Sequence, residues 1–313
     1  MIFTVPADLD GERLDRAVAQ LAVISRGQAH ALVQAGSVWL NQAIAMVPST
    51  RVGVGATLEF ELPPAQPALV PEPIDFEVVW EDEHLAVVNK PAGIVVHPGA
   101  GHAGATLAAG FLHRWPQVES VGEEGRWGIV HRLDKGTSGL LVMAKTSESY
   151  AALKSLVAAR KLERRYLAMV DGVVEVGTGT IEAPIERDPS QPMRRRVSAS
   201  GKPARTHYRR LASWEVQTLL ELTLETGRTH QIRVHLAAID YPVVGDRTYG
   251  GPVADVARPW LHSWRLSFLH PLSREMVETV APLPADLAAS LAELGKPAVG
   301  SLDELAEISN GGG

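Results

Sequence analysis

One carboxylate set among cations on a short turn is the grouping in this sequence with the most evident chemistry. Asp134 lies between Arg132 and Lys135, within the run His131 to Gly139. Nearby positive charge favours the ionised form of a carboxylate, which is the form able to attack carbon. The plainer alternative is an aspartate that hydrogen-bonds its own turn. Arg233 is a suitable partner, because a guanidinium can grip a carboxylate at two points and keep it charged in a dry pocket. A purely structural ion pair would have the same geometry. His230 and His235 raise the question of a metal, but they are spaced i, i+5 and lack the glutamate of a zinc-protease helix, so no metal site is expected. An aspartate-nucleophile glycosidase would need a second placed carboxylate, and no motif offers one.

These residues need a scaffold. Residues 128–130 read as a short strand and residues 140–143 as a second, with Gly136 and Gly139 supplying the turn that carries Asp134. Further strands are expected at 76–80, 85–89, 139–145, 165–170, 204–213 and 216–225, and helices at 147–160, 229–239 and from Pro284 to about 294. Neighbouring strands joined by short turns predict an α+β fold with a mainly antiparallel sheet. On the 229–239 helix, Leu236 falls at i+3 from Arg233 and is expected to wall the same pocket.

The first 62 residues read as a separate unit that ends in a proline-rich linker at 63–73. In it, Arg13-Leu14-Asp15 leads an amphipathic helix, Ser25 is placed to cap a second helix ending at Gly36, and a small sheet runs from Val38 to Glu61. Residues 74–295 form the expected catalytic domain, and 296–313 a flexible tail.

The 313 residues are 45% hydrophobic and 21% charged, an ordinary globular composition with no apolar run of membrane-spanning length. The absence of cysteine excludes disulfides and thiolate chemistry. With no secretory signal, a cytoplasmic location is expected. The net charge of −6 argues against a generally nucleic-acid-binding surface. Basic residues nonetheless cluster at 160–165 and from Arg194 to Arg210.

Residues 128–145 resemble the catalytic motif of the RluA/RluD family of pseudouridine synthases. Residues 89–98, beginning Asn89-Lys90-Pro91, resemble the family's lysine-proline motif. Arg165-Tyr166 and residues 227–236 resemble its tyrosine and arginine motifs, and the likeness continues through 245–250 and 261–266. Four ordered matches over roughly 150 residues are far more specific than any one alone. The N-terminal order Arg13-Leu14-Asp15, Ser25-Arg26, Ala35 to Val38 is similar to an S4 RNA-binding domain. That unit contains no lysine, and Gln42 stands where many such domains have the glycine of an Asn-Gly turn.

The resemblance implies a long mixed sheet with a central cleft, no cofactor, and isomerisation of uridine to pseudouridine in RNA. Large-subunit ribosomal RNA is the expected substrate, transfer RNA the alternative, and a monomer the expected state. It assigns Asp134 as the nucleophile, acting at the ribose C1′ or through a glycal-like route, Arg233 as its partner, and Tyr166 as the ring on the uracil. Because phenol is a weak base at neutral pH, stacking is the firmer role for Tyr166. The target must be flipped out of its helix or loop, for which the resemblance offers Arg132. Lys90, His97, His131 and Lys135 are expected to support the loop or RNA phosphates, and Arg13 and Arg26 to contact RNA from the S4-like unit. An RNA-binding module without catalysis is the rival reading.

Overall fold

The computed structural model describes residues 1–24, 26–62, 70–98, 105–122, 127–252, 256–303 and 305. Ser25, most of the proline-rich stretch and the terminal glycines lie outside the described residues. The chain divides into two units, residues 1–68 and 69–313.

In the first unit, helices Leu14–Ala22 and Arg26–Gln34 pack on a sheet in the order Ile2–Thr4, Thr57–Phe60, Val38–Leu40, Ala43–Ile44, all antiparallel. Leu14, Val18, Val33, Val38, Leu58 and Phe60 form its core. Asp15 is buried in the first turn of the first helix. Arg13 Nε and Nη2 donate to its two oxygens at 2.9 Å, and this pairing pulls the carboxyl down to about 2.

The second unit is built on a sheet with ten strands among the described residues. Its main path runs Val299–Gly300, Arg205–Ser213, Gln217–Leu224, Glu163–Asp171, Leu261–Leu269, Ser138–Ala144, Leu85–Lys90, Glu77–Glu81. Thr178–Glu182 joins Arg205–Ser213, and Met276–Val280 joins Leu261–Leu269. Only Leu261–Leu269 beside Ser138–Ala144 is parallel, so the sheet is mixed and mainly antiparallel, as expected. Every residue of Ser138–Ala144 is buried, in keeping with its unbroken apolar spelling.

Several expectations fail locally. Residues 128–130 make an isolated bridge, Ile129 to Met143, and no strand. Gly128 has φ +75°, and a Cβ there would lie 2.0 Å from the Ala144 carbonyl oxygen, so only glycine allows the chain this close to the strand, which it meets through the Ala144 N–H donating to the Gly128 carbonyl. Gly139 lies in strand Ser138–Ala144, as the strand expected at 139–145 has it, and not in the turn that carries Asp134. Its φ of +112° lets the Ser263 carbonyl oxygen approach to where a Cβ would be 2.1 Å away, which permits the parallel pairing. Residues 296–303 are not a free tail: Val299–Gly300 pairs with Ala212 and Ser213, and Leu302 and Leu305 pack on the core around Trp260, Trp264 and Leu287. Burial of those two leucines supplies the driving force that the polar spelling around them conceals. Helix Leu107–Arg114, capped by Thr106, and strand Leu261–Leu269 were not among the expected elements. No helix among the described residues is long and apolar enough to cross a membrane.

Candidate active site

Asp134 sits on a turn closed by the Thr137 N–H donating to the Asp134 carbonyl at 3.1 Å. Leu133 anchors the turn in the core, and the Gly93 N–H donates to the Lys135 carbonyl at 2.7 Å. The carboxylate opens into a cleft of about 510 Å³. Arg132, Asp134, Tyr166, Arg233, His97, His131 and His230 all contribute to its walls.

Helix Gln231–Ala238 presents Arg233 to that cleft. Gln231 pins its start by using the whole amide: Oε1 accepts from Thr226 Oγ1 and the Arg228 N–H, and Nε2 donates to the Arg205 carbonyl and Thr206 Oγ1. Arg233 Nη1 lies 3.2 Å from Asp134 Oδ2, which makes the expected pair real. The opposite edge of the guanidinium holds Asp246, with Nε to Oδ2 at 2.5 Å and Nη2 to Oδ1 at 2.8 Å. Burial by itself would favour losing the proton from Arg233, but the bonds to Asp246 and the charge of Asp134 outweigh it and raise the pKa. The guanidinium also lies 5.0 Å from the Tyr249 ring centre.

Tyr166 lies on strand Glu163–Asp171, is 4% exposed, and hydrogen-bonds Ser263. Burial pushes its phenol up from the ordinary value, so it stays protonated at neutral pH. Arg132 is exposed at the cleft edge, where a polynucleotide can reach it.

Four expected contacts move elsewhere. Lys90 is fully buried outside the cleft lining, its ammonium donating to the Pro91 and Ile94 carbonyls at 2.8 and 2.9 Å. Burial lowers it to about 7. It braces the loop leading to Gly93 and cannot touch phosphate. Lys135 is exposed but does not line the cleft. Leu236 shares a helix face with Ile232 and Arg233 but sits one turn further along the axis, fully buried in the main core and beyond the cleft lining. His131 lines the cleft but is buried, with Nε2 accepting the Val142 N–H at 3.1 Å. In the first unit, Arg13 and Arg26 both converge on Asp15, the latter at 3.5 Å while keeping its side chain 61% exposed.

Three residues at the centre were not assigned roles from sequence: Asp246, His230 and Tyr249. His230 adopts a left-handed φ of +58° at the start of the helix. Its Nδ1 meets the Tyr249 hydroxyl at 2.8 Å, and its Nε2 points toward Asp134 Oδ1 at 3.9 Å. Tyr249 also accepts from the Arg195 N–H at 2.9 Å, tying the hairpin of Ile185–Arg187 and Arg195–Val197 to the site. His235 is fully committed to the fold, with Nδ1 on Thr206 Oγ1 and Nε2 on the Ala183 carbonyl, both at 2.9 Å.

Comparison with known proteins agrees with this geometry. Residues 84–238 match the family described as RNA pseudouridylate synthase, and residues 12–58 match the S4 domain. A protein of Xylella fastidiosa (strain Temecula1 / ATCC 700964) named ribosomal large subunit pseudouridine synthase D is 42% identical, covering 93% of this chain and 91% of that one. An uncharacterized RNA pseudouridine synthase of Chloroflexus aurantiacus is 45% identical over 94% of this chain and 93% of its own. The solved structure of human RNA pseudouridylate synthase domain containing 1 superposes with TM-score 0.58 at 26% identity, covering 76% of this chain and 95% of that one. With nearly its whole length related at this level, and with an acid-arginine pair at the floor of its cleft, the chain belongs to the RNA pseudouridylate synthase family.

Proposed function

We propose that the protein isomerises uridine to pseudouridine in large-subunit ribosomal RNA, with Asp134 as nucleophile toward a flipped-out nucleotide. The observation that carries this reading is the 3.2 Å contact of Arg233 with Asp134 at the floor of an open cleft. Arg233, itself locked by Asp246, orients one carboxylate oxygen and leaves Oδ1 free to face the ribose. The reaction breaks the C1′–N1 bond, turns the uracil, joins C5 to C1′ and loses the C5 proton. Asp134 takes C1′ while the base is free and is displaced when C5 attacks. Tyr166, protonated and walled in, serves as a surface for the uracil ring; its raised pKa argues against direct removal of the C5 proton.

Arg132 at the rim is suited to holding the everted strand, offsetting an unstacking cost of about a few kcal/mol. The arginine-rich hairpin, with Arg187, Arg194, Arg195 and Arg196, offers a cationic surface beside the cleft despite the net negative charge. Residues 1–62 serve as an S4-like RNA-binding module, 63–73 as a linker and 74–295 as the catalytic domain. A monomer acting in the cytoplasm fits this reading.

The experiment is tritium release from transcribed large-subunit ribosomal RNA labelled at uracil C5, with modified positions mapped by carbodiimide-stop primer extension. Wild type releases tritium, whereas Asp134→Asn binds RNA and releases none. Activity of that variant within about tenfold of wild type would remove Asp134 from the chemistry. Deuterium at the ribose C2′ separates the two routes: direct attack at C1′ gives no primary isotope effect, and a glycal route gives one.

A further inference from the structure

On the cleft wall, His131 and Arg164 each carry a buried nitrogen with no hydrogen-bond partner among the described residues. The first is on His131. Its Nε2 accepts the Val142 N–H, so in the neutral ring the proton sits on Nδ1. Burial, with a smaller push from the charge of Arg164, lowers the ring to about 3 and so keeps it neutral. That Nδ1 is buried and makes no hydrogen bond. The second is Arg164, 7% exposed, whose Nε is buried and unbonded. Among the described residues no carboxylate pairs with it, unlike Arg165 next door, which reaches Glu163 and Glu221. Its Nη1 rests against Gly227, where an added Cβ would lie 3.1 Å away.

Leaving the Arg164 Nε–H buried and unbonded is costly, and the orphaned imidazole N–H of His131 adds to that cost. A ligand that supplies acceptors in the cleft offsets that cost. Both groups line the same cleft as Asp134 and Tyr166. There, cleavage of C1′–N1 sends the bonding pair to N1 of the uracil. The charge spreads onto the two carbonyl oxygens, while an oxygen of Asp134 bonds to C1′. Preorganised donors at the oxygens of that anion lower the barrier to its formation and keep the freed base in place while it turns.

We infer that Arg164 and the His131 Nδ1–H together form a carbonyl-oxygen site for the target uracil, which stabilises the uracil anion released when Asp134 takes C1′. This inference rests on the pseudouridine synthase reading above. The rival ligand for the same donors is a phosphate oxygen of the RNA backbone.

The test compares wild type, Arg164→Met, Arg164→Lys and His131→Phe in single-turnover tritium release from the large-subunit transcript at saturating enzyme, with RNA Kd measured beside it. Expected are a Kd within about threefold of wild type, a rate about 100-fold lower for Arg164→Met, a smaller loss for His131→Phe, and partial recovery in Arg164→Lys. The same enzymes then act on a transcript made with 5-fluorouridine, whose fluorine stabilises the departing N1 anion, with rearranged nucleoside read by chromatography. The Arg164→Met defect should shrink by about tenfold there. A merely structural arginine would leave an equal defect on both transcripts and overturn the inference. A large rise in Kd with an unchanged saturated rate would also overturn it, in favour of a phosphate contact. If wild type releases no tritium, the functional reading fails first; if wild type is active and Arg164→Met matches it, only this inference fails.

Discussion

Asp246 grips Arg233 along one whole edge of the guanidinium, while the other edge is left to Asp134. Asp246 is 1% exposed and also accepts the Thr248 N–H. Arg233 is therefore aimed by a buried carboxylate that does not line the cleft.

Asp246→Asn should consequently lower kcat about 100-fold with little change in KM for RNA. The amide cannot accept both guanidinium bonds, and misplacement of a reacting group by about 1 Å has that order of effect. Steady-state tritium release on the large-subunit transcript reads both constants. Wild-type kcat in a folded Asp246→Asn enzyme would show that Asp134 alone positions Arg233.

What the sequence revealed and what it hid follow one physical division. The Asp134–Arg233 pair was foreseeable because each residue lies in a motif that resembles the family's, whose pattern pairs them; charge alone could not choose among the chain's 30 lysines and arginines. Asp246 was within a quoted motif, but nothing local says that a loop aspartate turns inward to a helix. Leu236 shows the limit of helical spacing: it gives residues a shared face, not how far along that face the cleft extends. Lys90 misleads for a similar reason, since a lysine ending a strand reads as exposed until the flanking layers bury it. Gly128 and Gly139 hid the close backbone contacts, because a glycine can mark a turn or a close backbone approach with equal ease.

Tyr249→Phe should weaken RNA binding while sparing the chemical step. The hydroxyl bridges His230 Nδ1 and the Arg195 N–H, so its loss releases the arginine-bearing hairpin from the floor of the site. Kd for the transcript should rise about tenfold, the worth of one or two hydrogen bonds, and amide exchange at residues 195–197 should quicken. A Kd equal to wild type would mean that the hairpin is held by its other contacts.

Acid should destabilise the second unit before the carboxylates titrate. Burial lowers His262 to about 4 and His131 to about 3, against an ordinary value of 6.5. Between those values and 6.5 the unfolded chain binds protons that the folded chain does not, so stability falls as pH drops through that window. The combined loss is on the order of a few kcal/mol. Melting temperature against pH should slope downward from 6.5 to about 4, and His262→Gln should flatten the slope. Parallel curves for the two proteins would exclude His262 as a source.

Gln42→Gly should stabilise the first unit. Strands Val38–Leu40 and Ala43–Ile44 are joined by two residues, Asn41 and Gln42, with φ of +49° and +67°. Two positive φ values in a two-residue hairpin loop make the turn whose twist matches the strands, and it favours Asn-Gly. Asn41 suits its place, and its side-chain oxygen also accepts the Thr57 N–H at 2.8 Å. Gln42 carries a Cβ into the left-handed region, at a cost of roughly 1–2 kcal/mol. Glycine removes that strain but adds backbone freedom to the unfolded chain, which returns about 0.5–1 kcal/mol of the gain. The balance is a net stabilisation of about 1 kcal/mol, measurable as a higher urea midpoint for the first unit within the full-length protein, with an unchanged tritium-release rate. A midpoint that stays put or falls would mean that the glutamine side chain makes compensating contacts worth as much as the strain.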